Sequence, residues 1–240
     1  MKYFYIVFSI IILLCLAVYF SFYKKQSDLC FEWKAGDKYE ISYIIEKNFY
    51  IENKISDTDF TEIEISDTSV YTRKKFFYVT SESSGYFQDE LEKSDVKVLP
   101  EIELFLDKYF IKTKDKSFAL FPFVLPGKIP VACSWYYKFS AKFFDINEFE
   151  LISKLDNFNE KSAEISFKIK ETNIKHYDEN GFEYNSKLSG KGTGIFDLKT
   201  KFYSKFSFEI KIETDIFKSG ELYQKSSITF YPQFKIGKID

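Results

Sequence analysis

Histidine, cysteine, glycine and proline are scarce in this chain, which limits the chemistry that it can perform. The 240 residues include one histidine, three cysteines, nine glycines and five prolines. Zinc sites and Ser-His-Asp triads need histidines or thiolates together with partners at set positions. The single histidine, His176, stands beside a turn-like Asp-Glu-Asn-Gly stretch. We therefore expect His176 to be an ordinary surface residue, and we expect no metal site.

The sequence also lacks the motifs of common enzyme classes. It has no nucleophile elbow, no zinc-protease helix motif and no dinucleotide fingerprint. Gly190, Gly192 and Gly194 alternate with other residues, but no Gly-Lys-Ser/Thr is present, so we predict a bulge or hairpin there and not a phosphate loop. Glu62 and Glu64 leave one alternative, a hydrolase that uses strand carboxylates. We expect no enzyme activity, no catalytic residue and no cofactor.

An excess of charge of either sign is absent as well. The chain has 34 Lys and Arg residues against 36 Asp and Glu residues, and its formal net charge is −2. A protein that binds nucleic acid needs a surplus of cations to neutralise phosphates. We therefore expect no nucleic-acid partner.

Charged residues are missing altogether from the stretch Tyr3 to Tyr23, which includes Ile10 and Leu14. A helix of that length reaches about 31 Å, enough to cross the hydrocarbon core of a bilayer. We predict that residues 1–25 form a signal anchor in membrane lipid, with the rest of the chain outside the cytoplasm, in the periplasm or at the cell surface. A cleaved signal peptide and lipidation of Cys15 are the alternatives.

Two further cysteines follow this segment, Cys30 and Cys133. In an exported domain they could form a disulfide that closes a loop of about 100 residues, worth ~4–5 kcal/mol in the chain-entropy model. Two independent free thiols are the alternative, and we favour it because nothing in the sequence brings the two residues together.

Residues 26–240 show the period-two alternation of half-buried strands. Trp135, Tyr137 and Phe139 alternate with polar residues, and Phe206 and Phe208 begin another such run. About ten short strands joined by turns predict one mainly β, antiparallel domain. We expect a curved sheet, a half-barrel or a barrel. Periodicity does not distinguish between these three forms.

Four local features depart from this pattern or interrupt it. Helical spacing predicts one short helix over Pro100 to Phe110. Asp178 to Gly181 and Ser219-Gly220 predict tight turns. The last strand is expected to end at Tyr231, before Pro232.

Three short motifs carry a resemblance to known proteins. They are Gly36-Asp37-Lys38-Tyr39, Pro126 to Trp135, and Gly192-x-Gly194 followed by Phe196-Asp197-Leu198-Lys199. Over residues 29–215 the chain resembles a loose group of uncharacterised bacterial envelope proteins and lipoproteins. This resemblance implies an exported β domain and no assigned activity. The chain departs from the group at two places. Members usually carry a lipidated cysteine, but here Leu14 precedes Cys15, where a lipidation site needs a small residue. Members also often have a glycine or aspartate before the tryptophan, where this chain has Cys133-Ser134.

Two functions remain for the exported domain. In the first, a curved apolar face binds a lipid-like ligand, and Trp135, Tyr137, Phe139, Phe206 and Phe208 are the candidate ligand-face residues. In the second, the aromatic residues fill a packed core, and an outer face or a sheet edge binds another envelope protein. We favour the first.

Overall fold

The chain is mainly antiparallel β-sheet. The computed structural model describes residue 12 and residues 26–54, 60–63, 69–89, 102–113, 124–141 and 146–239. The described strands, in chain order, are β1 Gln26–Leu29, β2 Lys38–Lys54, β3 Phe60–Ile63, β4 Ser69–Ser81, β5 Ser84–Asp89, β6 Ile102–Leu106, β7 Ile111–Thr113, β8 Gly127–Pro130, β9 Ser134–Ala141, β10 Ile146–Phe158, β11 Ser162–Tyr177, β12 Phe182–Asp197, β13 Phe202–Lys218 and β14 Glu221–Ile239.

These strands form one large sheet and one small one. The large sheet has twelve strands, and its main path runs β7-β6-β5-β4-β2-β14-β13-β12-β11-β10-β9, with β3 beside β2. The small sheet pairs β1 with β8. Most neighbours in the large sheet are also neighbours in the sequence, so hairpins account for most of it. There are two exceptions. β2 pairs with β4 past the short β3, and β2 pairs with β14, which joins the two series of strands.

The predicted hairpin turns are confirmed. Between β11 and β12, Gly181 has a φ of +79°, and Asp178 Oδ1 accepts hydrogen bonds from the amides of Asn180 and Phe182. Between β13 and β14, Ser219 and Gly220 both have positive φ values, 53° and 84°. Consecutive positive values are typical of the two-residue turns that match the twist of antiparallel strands.

The predicted short helix is wrong over its described part. Residues 102–106 form β6, which pairs with β5 on one side and β7 on the other. Leu104 and Leu106 are buried, whereas Phe105 between them is exposed. The same residues fit helical and alternating spacing, and the neighbouring strands supply the hydrogen-bond partners that favour the strand.

The predicted end of the last strand is also wrong. β14 continues through Pro232 to Ile239. Its pairing with β2 is continuous there, but its pairing with β13 passes from Phe230 to Gln233 without a partner for Tyr231 or Pro232. Proline has no amide hydrogen to donate, so a central strand accommodates it where one ladder is interrupted.

The glycines of β12 form neither a hairpin nor a bulge of their own strand, which corrects the prediction for Gly190 to Gly194. The strand runs straight through them in register with β13. A methyl group on Gly192 would lie 2.8 Å from Cδ1 of Phe208, and one on Gly194 would lie 2.9 Å from Cε2 of Phe167. The glycines are needed because aromatic rings of adjacent strands occupy the space above them.

One end of the large sheet curves around an aromatic core. Phe77 on β4 and Phe202 on β13 are three strand spacings apart, about 14 Å in a flat sheet, yet their ring centroids are 5.8 Å apart. The segment after β1 covers this end, where Phe31 packs on Phe202 at 5.6 Å and Trp33 on Phe77 at 5.6 Å. Trp33 Nε1 donates to the Asp107 carbonyl at 2.9 Å.

We call this covered end, with residues 38–46, 162–169, 190–209 and 231–239 of the long strands, the proximal half. The distal half holds residues 47–54, 170–189 and 210–230. The inner face is the one that carries Phe77, Phe202 and the other buried rings. The outer face is the opposite one.

Apart from Ile12, the predicted signal anchor, including Tyr3, Ile10, Leu14 and Tyr23, lies outside the described residues. Within the described part of the chain, no helix has the length and apolar character needed to cross a membrane.

Candidate functional site

The cover over the inner face ends partway along the strands. On β11 every second residue from Ala163 to Ile169 is buried, but none is buried from residue 170 to Tyr177. On β13 the buried residues end at Phe208. On β12, residues 182–187 are all partly exposed regardless of the face they occupy. On these three strands burial no longer alternates, which indicates that no further layer of the described structure covers this part of the sheet. Leu188 on the inner face and Thr229 on the outer face of β14 are the described residues of the distal half that stay buried.

The inner face nevertheless stays apolar beyond the end of its cover. The registers place Leu188, Ile212, Ile228 and Phe49 in one row across four neighbouring strands. The preceding row brings Ile210 opposite Phe230. We call these six residues the distal patch: Phe49, Leu188, Ile210, Ile212, Ile228 and Phe230. Leu188 is buried, and the other five are partly exposed.

The distal patch has a polar border on one side and the core on the other. In the next row outward, the hydroxyl groups of Ser186 and Thr214 hydrogen-bond to each other at 2.8 Å, and Ser226 follows on β14. Toward the proximal half, Phe208 is buried against Phe167 at 5.1 Å. The patch is therefore a bounded apolar surface that continues the core into the uncovered half of the sheet.

One cation lies at the edge of the distal patch. Lys47 on β2 pairs with Phe230, and it precedes Phe49 by two residues, which puts both on the inner face. Its Nζ lies 5.6 Å from the centroid of the Phe49 ring. The ammonium group therefore lies against the patch, and its side chain is partly buried.

The outer face of the distal half has the opposite character, because charged pairs cover it. Lys175 and Glu183 are joined at 2.6 Å, and Lys187 and Glu171 at 2.9 Å. The hydrogen bond between Lys175 and Glu183 lowers the pKa of the carboxyl group and raises that of the ammonium group. Open grooves on the outer face are lined mainly by polar side chains, as in one of about 360 Å³ between Lys187 and Lys225.

The structure places Phe206 and Phe208 in the proximal half, and Trp135, Tyr137 and Phe139 on β9. Phe206 and Phe208 are 5% and 4% exposed within the core. Trp135 and Tyr137 pack against that core, and Trp135 Nε1 donates to the Val124 carbonyl at 3.0 Å. Phe139 pairs through its backbone with Phe149. Trp135, Tyr137, Phe206 and Phe208 share the inner face with the distal patch but lie under the covered part, and the side chain of Phe139 lies outside the described part of the structure.

The other residues singled out from the sequence are scattered. His176 is exposed at the distal end of β11, with its ring 6.1 Å from that of Tyr184. Glu62 pairs through its backbone with Glu52, and Glu64 lies outside the described residues. Both thiols, Cys30 and Cys133, are free. Among described residues, no three His, Cys, Asp or Glu side chains gather in a way that could hold a metal ion.

Sequence reasoning did not identify the distal patch. The alternation of β13 indicated which face Ile210 and Ile212 share with Phe206 and Phe208, but alternation carries no information on where the covering segment stops. A signal was present in β2, where Lys47 stands between Ile45 and Phe49 at alternate positions. A lysine in the apolar series of a strand indicates a face that is not fully buried.

Comparisons with known proteins add little. No family model matches the chain, and no curated protein matches it. Among solved structures, Ail, the attachment invasion locus protein of Yersinia pestis, is similar over 85% of this chain and 100% of that chain, with 7% identity and a TM-score of 0.14. A TM-score of that size supports no inference about fold or function.

Proposed function

We propose that the β domain is a non-catalytic binding module for an apolar or lipid-like ligand. In this proposal the curved sheet acts as a half-barrel whose proximal end is filled by its own aromatic core. The distal patch is the part of the inner face that remains open to a ligand.

One observation supports this proposal above the others. The distal patch keeps the apolar composition of the core after the cover has ended, although the described residues of both faces there are at least partly exposed, apart from Leu188 and Thr229. Apolar surface in contact with water is unfavourable, at roughly 25 cal/mol per Å². Contiguous exposed apolar patches in soluble domains are typical of binding sites.

The experiment is photolabelling of the full-length chain with a neutral fatty alcohol that carries a diazirine. We expect labelled peptides from the inner face of β12, β13 and β14. Ile212→Gln should reduce the labelling several-fold, because it puts an amide in the centre of the distal patch. Lys211→Gln is the matched control, since the adjacent residue lies on the outer face and its replacement should leave the labelling unchanged. Equal labelling of both faces would contradict the proposal.

We also propose that residues 3–23 hold this module at a membrane with the β domain outside the cytoplasm. The support is the sequence of that segment, which has no charged residue and is bracketed by Lys2 and by Lys24-Lys25. Protease treatment of intact cells should digest the β domain if it is exposed at the cell surface, and treatment of cells with a permeabilised outer layer should digest it if it is periplasmic. Protection in both cases would contradict this placement.

A second candidate function is protein interaction, and one observation favours it. β9 is an end strand of the large sheet, and its Tyr136 is 72% exposed. Uncovered strand edges are sites where another chain can add a strand. A photocrosslinker at position 136 in intact cells should then capture one defined envelope protein.

A further inference from the structure

The charges of the distal half are divided between its two faces. Its strand carboxylates with described side chains lie on the outer face, as Glu52, Glu183, Glu213 and Asp215 do by register. Glu171 also lies on the outer face, where it pairs with Lys187. The remaining described ones, Asp178, Glu179 and Glu221, stand at the turns or at a strand end. The titratable groups that the inner face of the distal strands presents are Lys47, His176, Tyr184 and Lys218, and Glu221 is the register partner of Lys218 at the strand end.

The surroundings of Lys47 differ from those of the lysines on the outer face. There, the ammonium groups of Lys175, Lys187, Lys191 and Lys211 each form an ion pair with a glutamate at 2.6 to 3.2 Å. Lys47 has no carboxylate within ion-pair distance among the described residues, and the contact found for its Nζ is with the ring of Phe49. A partly buried ammonium group without an anion is unfavourable because desolvation is not offset by pairing.

We propose that the ligand is a single-chain amphiphile with an anionic head group, which Lys47 binds while the hydrocarbon chain lies on the distal patch. This inference rests on the proposed function. The patch extends from β2 to β12, three strand spacings or about 14 Å, and its row of apolar side chains runs across the strands from Phe49 to Leu188. A straight acyl chain matches that strip, with its head group beside Lys47 at one end. A carboxylate and a phosphate monoester are both suitable head groups.

The test compares three photoactivatable probes with the same twelve-carbon chain: a carboxylic acid, a phosphate monoester and an alcohol. They are applied to the full-length chain in membrane vesicles, and the labelling of β12–β14 peptides is measured against probe concentration. We expect an anionic probe to label at roughly tenfold lower concentration than the alcohol, the size of effect given by one charge-assisted hydrogen bond. The tighter of the two anionic probes identifies the source of the anion, a fatty acid or a phosphate head group.

The variant Lys47→Met should abolish the preference for the anionic probes and should change labelling by the alcohol far less than labelling by the anionic probes. Lys47→Arg should keep most of the preference, and Lys211→Met on the outer face should keep all of it. The ratio of anionic to neutral labelling is the readout, because a folding defect would lower both together. An unchanged ratio in Lys47→Met would overturn the inference and leave the binding module intact, whereas failure of all three probes to label the inner face would overturn the proposed function as well.

Discussion

The proximal and distal halves of the large sheet are built from the same strands and the same alternation of residues, but only one half is packed. In the proximal half, Ala163, Ile165, Phe167 and Ile169 are all 3% exposed or less. Further along the same strand, Ile174 is partly exposed and no residue is buried. The difference arises from the covering residues, which occur at one end only. They include Phe31 and Trp33 after β1 and Leu125 and Ile129 around β8, and they share one buried cluster with the proximal strands. Alternation therefore determines which face a side chain occupies, and the covering residues determine whether that face is buried.

Phe202→Ala should have the largest effect of the changes that test this comparison. The Phe202 ring is 1% exposed and packs on Tyr39, Phe31 and Trp33. Its loss should lower the free energy of unfolding by about 3–5 kcal/mol, because a cavity remains among rings that cannot close it. The measurement is urea denaturation followed by tryptophan fluorescence.

Phe182→Ala is the control for that change in the distal half. Phe182 is partly exposed and contacts Tyr223 with ring centroids 5.5 Å apart. We expect a loss of about 1 kcal/mol or less, since removal of a partly exposed ring leaves no closed cavity. Equal losses for the two phenylalanines would mean that the halves are equally packed.

Gly192→Ala should be the next most damaging change. The added methyl group would meet the Phe208 ring and the Ser207 carbonyl, which belong to the neighbouring strand. We expect a loss of about 1–3 kcal/mol from overpacking. Gly237→Ala is the matched control, because nothing lies within 4 Å of the position of its methyl group. If Gly192→Ala left the free energy of unfolding unchanged, the proximal half would be less tightly packed than its burial indicates.

Hydrogen exchange compares the two halves without any substitution. Amide hydrogens of residues 172–176 and 184–188 should exchange at least roughly tenfold faster than those of residues 163–169, because local opening of an uncovered ladder exposes little apolar surface. Exchange of the full-length chain, measured by mass spectrometry of peptides, resolves these segments. Similar protection along the whole of β11 and β12 would show that an additional layer covers the distal half.

Acid should have the smallest effect, and it should be local to the distal turn. The amide of Phe182 donates to Asp178, and this bond together with those from Asn180 and Tyr184 lowers the pKa of the carboxyl group. The folded pKa is below the unfolded one, so the stabilisation is present above about pH 4 and is lost as the pH falls through the folded pKa.

Asp178→Asn provides the comparison for this acid effect. The amide oxygen can still accept the backbone hydrogen bonds but does not titrate. The difference in thermal stability between the wild type and Asp178→Asn should therefore be present at pH 6 and shrink below pH 4. A difference that stays constant down to low pH would show that the carboxyl group has an ordinary pKa.

Local sequence patterns predicted much of the sheet, and the failures share one cause. The turns at Asp178 to Gly181 and Ser219-Gly220 depend on residues within a few positions of each other, and they were predicted correctly. Pro100 to Phe110, Gly190 to Gly194 and Pro232 were misread because neighbouring strands decide their structure. β5 and β7 supply partners to β6, Phe208 occupies the space above Gly192, and β2 keeps Pro232 in the sheet.

The candidate site was predicted less well than the fold. Phe206 and Phe208 lie on the apolar inner face in the covered half, and their role at a ligand face stays a prediction. The position of the distal patch depends on where residues 29–33 lie along the strands, which is a contact between distant parts of the chain. No periodicity within β12 or β13 contains that information.

The pairing of β2 with β14 has a consequence for how the chain is made. The two strands join residues about 170 to 200 positions apart, from Asn53 with Gln224 to Lys38 with Ile239, and contacts of such long range make folding slow. During synthesis, the hairpins formed early keep an unpaired strand edge on β2 until β14 emerges. A product truncated before β14 would expose two long unpaired flanks and would be prone to aggregation, so holdase chaperones should matter most for this protein during that interval.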